Sequence, residues 1–219
     1  MHTIRFRPSI LSGLLAALAM SAPLVPPAAA GAATAETSVY GVRLFKPFTA
    51  MPECPEWPQT APGMPKMYAS AADTPQPCFQ HTDDSQMGQA PAGTEMLYIE
   101  FPLAKRPEMY NGLRISLIHG VVNGIYLVTL GIETQAHDYA LLEGKFGPPV
   151  EKRTVTVQNK MGASFQVIEA TWQRPEGVSL SFRGAGNSLD AGELNVTTPQ
   201  ERARKQAALH KQQEGVPKL

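Results

Sequence analysis

Apolar and polar residues alternate along much of the second half of the chain, and a period of two is typical of β-strands that bury one face. Leu97, Ile99 and Phe101 show this alternation first. Comparable strand segments follow at 113–117, 125–132, 153–158, 164–173, 178–183 and 193–197. Because short connections between consecutive strands favour antiparallel neighbours, we predict one curved, mainly antiparallel sheet of about six to seven strands.

Two local signals refine this sheet. Asn123-Gly124 predicts a type I′ hairpin turn, because both residues tolerate the positive φ angles that such a turn needs. Within 164–173 the apolar phase slips between Val167 and Ile168, and we expect a β-bulge near Val167.

One helix interrupts the strand pattern. Tyr139, Leu142 and Phe146 follow helical spacing and form one apolar stripe, which predicts an amphipathic helix over about 134–146. Gly147 and the two prolines after it end this helix. A single helix of this kind needs a sheet to cover, so the fold class we predict is α+β, with the helix packed on the sheet.

The first residues have the pattern of a bacterial Sec-type signal peptide, 1–35. Arg5 and Arg7 precede an apolar run interrupted by small residues, and small-x-small cleavage sites end at Ala30 and Ala35. The apolar run is too short for a good membrane span, so we expect no transmembrane span in the mature chain. The predicted location is periplasmic or secreted.

Three further regions follow the signal. Residues 36–93 are rich in proline, which excludes helix interiors and central strands, so we predict an irregular segment. In an exported chain its two cysteines, Cys54 and Cys78, are expected to form a disulfide; a metal or redox pair is the alternative. Residues 94–198 are the predicted α+β domain, and 199–219 form a polar, basic tail that is either helical or disordered.

Charge excludes one class of partner. Lys and Arg together number 19, as do Asp and Glu, and removal of the signal leaves 17 basic against 19 acidic residues. This near-neutral balance gives no indication of nucleic-acid binding. The sequence also lacks a nucleophile elbow of the GxSxG type, so no catalytic residue is assigned.

Three polar residues could carry chemistry in the sheet and the helix. Thr134 is the predicted N-cap, which places Glu133 and His137 around the first turn, four residues apart and able to bind a metal or a partner. The alternative is a solvated first turn. His119 shares strand parity with Leu117, which predicts an inward, hydrogen-bonded histidine.

Methionine in the proline-rich segment gives one metal hypothesis. Met64, Met67 and His81 offer thioether and imidazole ligands that suit copper(I). The alternative is that methionine fills irregular gaps where this segment packs on the sheet. We therefore assign no cofactor.

The helix stop at 141–149, the strand with Trp172 and the strand 178–182 resemble, in outline, small exported bacterial α+β proteins. Among them are uncharacterised periplasmic proteins and the BamE-like outer-membrane assembly lipoproteins. This chain departs from the latter in two ways: it lacks the lipoprotein cysteine, and it has a hairpin where they have a second helix. The resemblance therefore implies a fold outline and no site residue.

Together these patterns favour an exported, non-enzymatic protein that binds another protein or a cell-envelope component, through a sheet edge or the proline-rich loop. Copper or soft-metal binding is one alternative. A hydrolase whose residues meet only in the fold is another.

Overall fold

The computed structural model describes residues 36–49, 51–57, 67–82 and 92–214. The predicted signal peptide, 1–35, lies outside these ranges. The strands are β1 Ser38–Val39, β2 Val42–Arg43, β3 Cys78–His81, β4 Thr94–Glu100, β5 Gly112–Ile118, β6 Val121–Thr129, β7 Glu151–Gln158, β8 Ser164–Gln173, β9 Ser179–Ser188 and β10 Ala191–Thr197. The α-helices are α1 Gln135–Phe146 and α2 Pro199–Glu214, and short 3-10 turns occupy Leu103–Lys105, Gly131–Glu133 and Pro175–Gly177.

Eight strands form one antiparallel sheet in the order β3-β4-β5-β6-β10-β9-β8-β7, and β1 and β2 form a separate small hairpin. The α+β class and the antiparallel sheet are thus confirmed. The strand count of six to seven was too low, because β3 comes from the proline-rich segment that we expected to be irregular. The sheet is also not curved as predicted.

The two helices pack on opposite faces of this sheet. Ile115, Ile125 and Trp172 point to the apolar face, where α1 adds Tyr139, Leu142 and Phe146 to the same buried cluster. Residues of the other parity, such as Ser116 and Tyr126, contact α2 instead. Burial of each large apolar side chain contributes roughly 1.5–3 kcal/mol, so the α1 face holds most of the core.

Helix α1 begins and ends as its sequence predicts, but one contact at its start differs. Thr134 occupies the N-cap position without capping a backbone amide. Its hydroxyl instead donates to Asp138 Oδ2 at 2.7 Å, inside the first turn. At the other end Gly147, with φ of 80°, donates its amide to Glu143 O, and Trp172 Nε1 donates to Gly147 O at 2.8 Å. The helix stop is thereby tied to the sheet.

The predicted hairpin turn at Asn123-Gly124 was wrong. The turn lies at His119 and Gly120, whose φ angles of 50° and 77° suit a two-residue connection between β5 and β6. Asn123 lies inside β6 because its buried amide is used there: Nδ2 donates to Val121 O and Oδ1 accepts from the Thr198 hydroxyl. Side-chain hydrogen bonds therefore overrode the local turn preference.

The expected bulge near Val167 is also absent. β7 and β8 pair in unbroken register from Glu151 to Gln158, and the register shifts of the sheet lie at Ser116/Leu117 and Ala191/Glu193. Pairing between β8 and β9 begins only at Glu169. The phase slip therefore marks the place where β8 separates from β9, and β8 has no inserted bulge residue there.

Gln135 fills the gap where β8 leaves β9. Its Nε2 donates to Gln166 O at 2.9 Å, and its Oε1 accepts from Ile168 N at 2.8 Å. Gly184 of β9 leaves room for this side chain, since a Cβ there would lie 2.2 Å from Gln135 Oε1. One helix side chain thus replaces the missing strand partner of β8.

The disulfide between Cys54 and Cys78 is confirmed. It lies beside a short strap that runs along β3: Cys54 N donates to Phe79 O at 2.8 Å, and Phe79 N donates to Pro52 O at 3.0 Å. The strap covers part of the outer side of β3. The bridge therefore holds one edge of the sheet closed.

Helix α2 is fastened to the polar face by a fully buried carboxylate, Glu201. Its two oxygens accept from Ser116 Oγ at 2.9 Å, from Tyr126 Oη, and from Arg204 Nε and Nη2 at 2.8 and 2.7 Å. Burial alone raises the pKa of Glu201, but the bonds from Arg204 and Tyr126 outweigh it and hold the pKa below its usual value. Within the described ranges, neither helix is long and apolar enough to cross a membrane.

Candidate functional site

The end of the sheet opposite β3 is an open edge. β7 is the last strand in the order and pairs with β8 alone. Its outer row of backbone N–H and C=O groups therefore has no partner strand among the described residues. Such an edge is a template for another extended chain.

The sequence along β7 divides this edge into a charged start and an uncharged remainder. The first part carries the charged residues Glu151, Lys152 and Arg153. Residues 154–158 are Thr-Val-Thr-Val-Gln and include no charged residue and no proline. Threonine and valine are β-branched and favour extended backbone. Natural edges are commonly blunted by lysine, proline or a bulge, and 154–158 contain none of these.

The charged start of the edge is already engaged within the molecule. Arg153 Nη2 lies 2.7 Å from Glu169 Oε2, and Arg183 Nε lies 3.1 Å from Glu169 Oε1. This cross-strand row of alternating charge ties β7, β8 and β9 together on the polar face. Exposed pairs of this kind contribute little to stability, so their main effect is to orient the strands.

The polar residues singled out from sequence do not converge. His119 is exposed in the β5–β6 turn and does not point inward, since a two-residue turn carries its side chain outside the sheet. Glu133 is exposed in a 3-10 turn, and exposed His137 has Nε2 3.3 Å from Glu108 Oε2. None of the four clefts described for this structure is lined by any of the three.

The residues of the copper hypothesis are also differently placed. Met64 lies outside the described residues, and Met67 is 61 % exposed. His81, on β3, has Glu95 against Nδ1 and Glu53 Oε1 3.7 Å from Nε2, so both ring nitrogens face carboxylates. Across the described ranges, no group of three or more His, Cys, Asp or Glu is arranged to hold a metal.

An apolar groove opens between α1 and the first strands. It encloses about 340 Å³ and is lined by Tyr40, Met109, Leu127 and Phe146 among others. Lys145 is one of the residues that line the groove, and burial lowers the pKa of its amine. Apart from Lys145 and Glu108, the lining residues named for this groove are aliphatic or aromatic or methionine, so most of its surface suits contact with an apolar group.

Asp138 is a buried acid in the first turn of α1. Its carboxyl is fully buried, and burial raises the pKa of this group, while the Thr134 hydroxyl bond lowers it. Oδ1 has no hydrogen-bond partner among the described residues. Asp138 is enclosed beneath α1, so its role is structural: it accepts a hydrogen bond at the start of the helix.

The sequence patterns predicted contact through a sheet edge or the proline-rich loop and predicted the strand at β7, but they did not identify β7 as the edge. The available signal was the uncharged run 154–158, because nothing in it blunts an edge. Comparison with protein-family models, with curated proteins and with solved structures finds no match to this chain.

Proposed function

We propose that this chain is an exported, non-enzymatic protein that binds an extended segment of another protein by strand addition at β7. The observation that carries the proposal is the contrast between the two sheet edges. A disulfide-held strap covers β3, whereas β7 is open and uncharged over 154–158. Strand addition uses an exposed backbone row of this kind for affinity and alternate side chains for specificity.

The side chains beside the edge indicate the chemistry of the partner. Val155 and Val157 are half-buried and pair across the ladder with Val167 and Phe165. A segment that alternates apolar and polar residues would place its apolar side chains next to these valines. Thr156 faces the other side and is exposed. The expected partner segment therefore has β-branched or aromatic residues at every second position.

Two features support export in this proposal. The chain begins with the predicted signal pattern 1–35, and its cysteines form a disulfide. Disulfides persist in oxidising compartments such as the bacterial periplasm or the extracellular space. We therefore propose a periplasmic or secreted location.

The test is site-specific photo-crosslinking in the producing cell. A crosslinking amino acid at Thr156 is compared with one at Gln200, an exposed position on α2. We expect a discrete adduct with another protein from Thr156 only, and its loss when Val157→Lys places a charge beside the added strand. Adducts no stronger than those from Gln200 would refute the proposal. So would an adduct that contains only two copies of this chain.

A further inference from the structure

A second concave feature lies on the polar face of the sheet, far along the strand order from β7. It is a cleft of about 530 Å³ over β3 to β6, and its lining includes Gln80, His81, Tyr98, Asn111, Arg114 and Val128. Its volume lies in the range of small-molecule sites, roughly 300–1,000 Å³. The proposed strand addition at β7 does not use it.

A glycine makes room for this cleft. Gly112 of β5 points to the polar face between Tyr98 and Val128, and a Cβ there would already touch Tyr98 Oη at 3.7 Å and Val128 Cβ at 3.8 Å. A side chain larger than alanine would extend further into the space between Tyr98 and Val128. The backbone of β5 at Gly112 therefore lines the bottom of this cleft.

Arg114 is the unusual residue of the cleft. In the register of the sheet it lies between Tyr98 of β4 and Tyr126 of β6, and it is half-buried. Within the described ranges it is the one arginine with neither a carboxylate nor a carbonyl partner. The others each have one: Arg43, Arg106, Arg153, Arg183 and Arg204 pair with glutamates, and Arg174 and Arg202 donate to backbone carbonyls.

The charge around the cleft favours an anion. Among the described residues, no Asp or Glu lines it. Glu95 and Glu53 lie beyond His81, and each faces one of its ring nitrogens. On the other side Lys205 Nζ lies 3.8 Å from the centroid of the Tyr126 ring. Burial lowers the pKa of Lys205, Glu201 and Glu193 act against this shift, and Arg204 and Arg114 add to it, so Arg114 lies within electrostatic reach of Lys205.

Neutral groups beside Arg114 can complete the recognition of a ligand. Tyr110 donates its hydroxyl proton to Ile99 O at 2.8 Å, and its oxygen lies 3.3 Å from the Tyr98 hydroxyl. The Tyr98 hydroxyl proton therefore has one long hydrogen bond, to the Tyr110 oxygen, and it can donate to a ligand at little cost. Asn111 Nδ2 donates to Thr129 O at 3.5 Å, which leaves its amide oxygen to accept from a ligand hydroxyl.

We propose that this cleft binds a small hydroxylated oxyanion, such as a sugar carboxylate or sugar phosphate, with Arg114 as its anion-binding residue. A guanidinium presents paired donors that match either group, and a charge-assisted bond is about twice as strong as a neutral one. Tyr98 adds a hydroxyl donor, and Asn111 adds an acceptor for a sugar hydroxyl. The shared chemistry is an oxyanion next to a hydroxyl-bearing ring.

Calorimetric titration of the purified protein with glucuronate, glucose 6-phosphate and glucose tests the proposal. We expect saturable binding of one or both anions and none of neutral glucose. Arg114→Gln is expected to weaken binding at least about tenfold, equivalent to 1.4 kcal/mol. Arg183→Gln is the matched control, because it removes the same charge from the same face of the sheet but from a residue already paired with Glu169. It should leave binding unchanged.

Tyr98→Phe keeps every charge and removes one hydroxyl donor, so it decides the question if Arg114→Gln fails to fold. We expect it to weaken binding several-fold. Absence of saturable binding by both anions at millimolar concentration would overturn the proposal. Equal weakening by Arg114→Gln and Arg183→Gln would overturn it too, since that result indicates general electrostatic attraction.

Discussion

Replacement of Glu201 by glutamine removes one charge from the attachment of α2 and leaves the shape of the side chain almost unchanged. In the native structure four donor groups converge on the two carboxylate oxygens, from Ser116, Tyr126 and twice from Arg204. Glutamine offers one acceptor oxygen and an NH2 group, so about half of these donors would face another donor. The buried environment offers them little water, because Glu201 is fully buried.

The magnitude follows from these contacts. A buried donor that loses its acceptor costs about 1–3 kcal/mol, and two of them are affected. Removal of one partner of a buried ion pair costs about 3–5 kcal/mol in other proteins. We therefore expect Glu201→Gln to lower the free energy of unfolding by roughly 3–5 kcal/mol. Glu214→Gln, the same change at an exposed position of the same helix, should cost less than about 0.5 kcal/mol.

Urea unfolding followed by tryptophan fluorescence measures this difference, because Trp172 is buried in the core. The pH dependence has a defined sign. The folded-state pKa of Glu201 is lowered, so its stabilisation is full above the ordinary glutamate pKa and is lost as pH falls through the folded value. The gap between wild type and Glu201→Gln should therefore narrow in acid. A loss within 1 kcal/mol of the Glu214→Gln value at pH 7 would refute the reasoning.

Three further predictions concern other parts of the fold. Asp138→Asn should raise the thermal midpoint at pH 7, because burial raises the pKa of Asp138 and makes its ionised form unfavourable in the folded state; the gain should vanish below about pH 4, the ordinary range of an aspartate. Gln135→Ala should cost about 1–2 kcal/mol and speed hydrogen exchange at the Ile168 amide, which loses its acceptor. Cys54→Ser with Cys78→Ser should lower the free energy of unfolding by roughly 3 kcal/mol in chemical denaturation.

Each of these has an outcome that contradicts it. Equal destabilisation by Asp138→Asn at pH 7 and pH 3 would show that its hydrogen bond to Thr134 outweighs the cost of burying the charge. Unchanged exchange at Ile168 in Gln135→Ala would show that the amide is protected without the glutamine. A double serine variant as stable as the wild type would show that the strap is held by its backbone bonds alone.

The strands and α1 were predictable because each has a local signal that tertiary structure supports. The alternation at Leu113, Ile115 and Leu117 places all three in the core, and Gly147 ends α1 where expected. The hairpin turn was mislocated because Asn123-Gly124 has the stronger local preference. The turn at His119 and Gly120 is favoured because the Asn123 side chain forms hydrogen bonds with Val121 O and the Thr198 hydroxyl, and these hold Asn123 inside β6.

The candidate sites were harder to predict, because their chemistry depends on contacts between distant parts of the chain. Arg114 is one arginine among several until the sheet shows that the others have partners. Glu201 lies in a polar tail whose sequence allowed a helix or disorder, and only its contact with Ser116, 85 residues earlier, makes it an anchor. The phase slip at Val167 is visible in the sequence, but the separation of β8 from β9 there, and the Gln135 side chain that fills the gap, come from a distant part of the chain.

Oxidation of Cys54 and Cys78 determines whether the strap is held covalently along the outer side of β3. Until the bridge forms, nothing covalent keeps Pro52 and Cys54 next to Phe79, and a sheet that assembles first would expose two strand edges to neighbouring chains. After oxidation, β7 is the edge of the eight-stranded sheet that stays open among the described residues. The order in which the sheet forms and the cysteines oxidise therefore determines how long a newly made copy exposes two edges of the eight-stranded sheet instead of one.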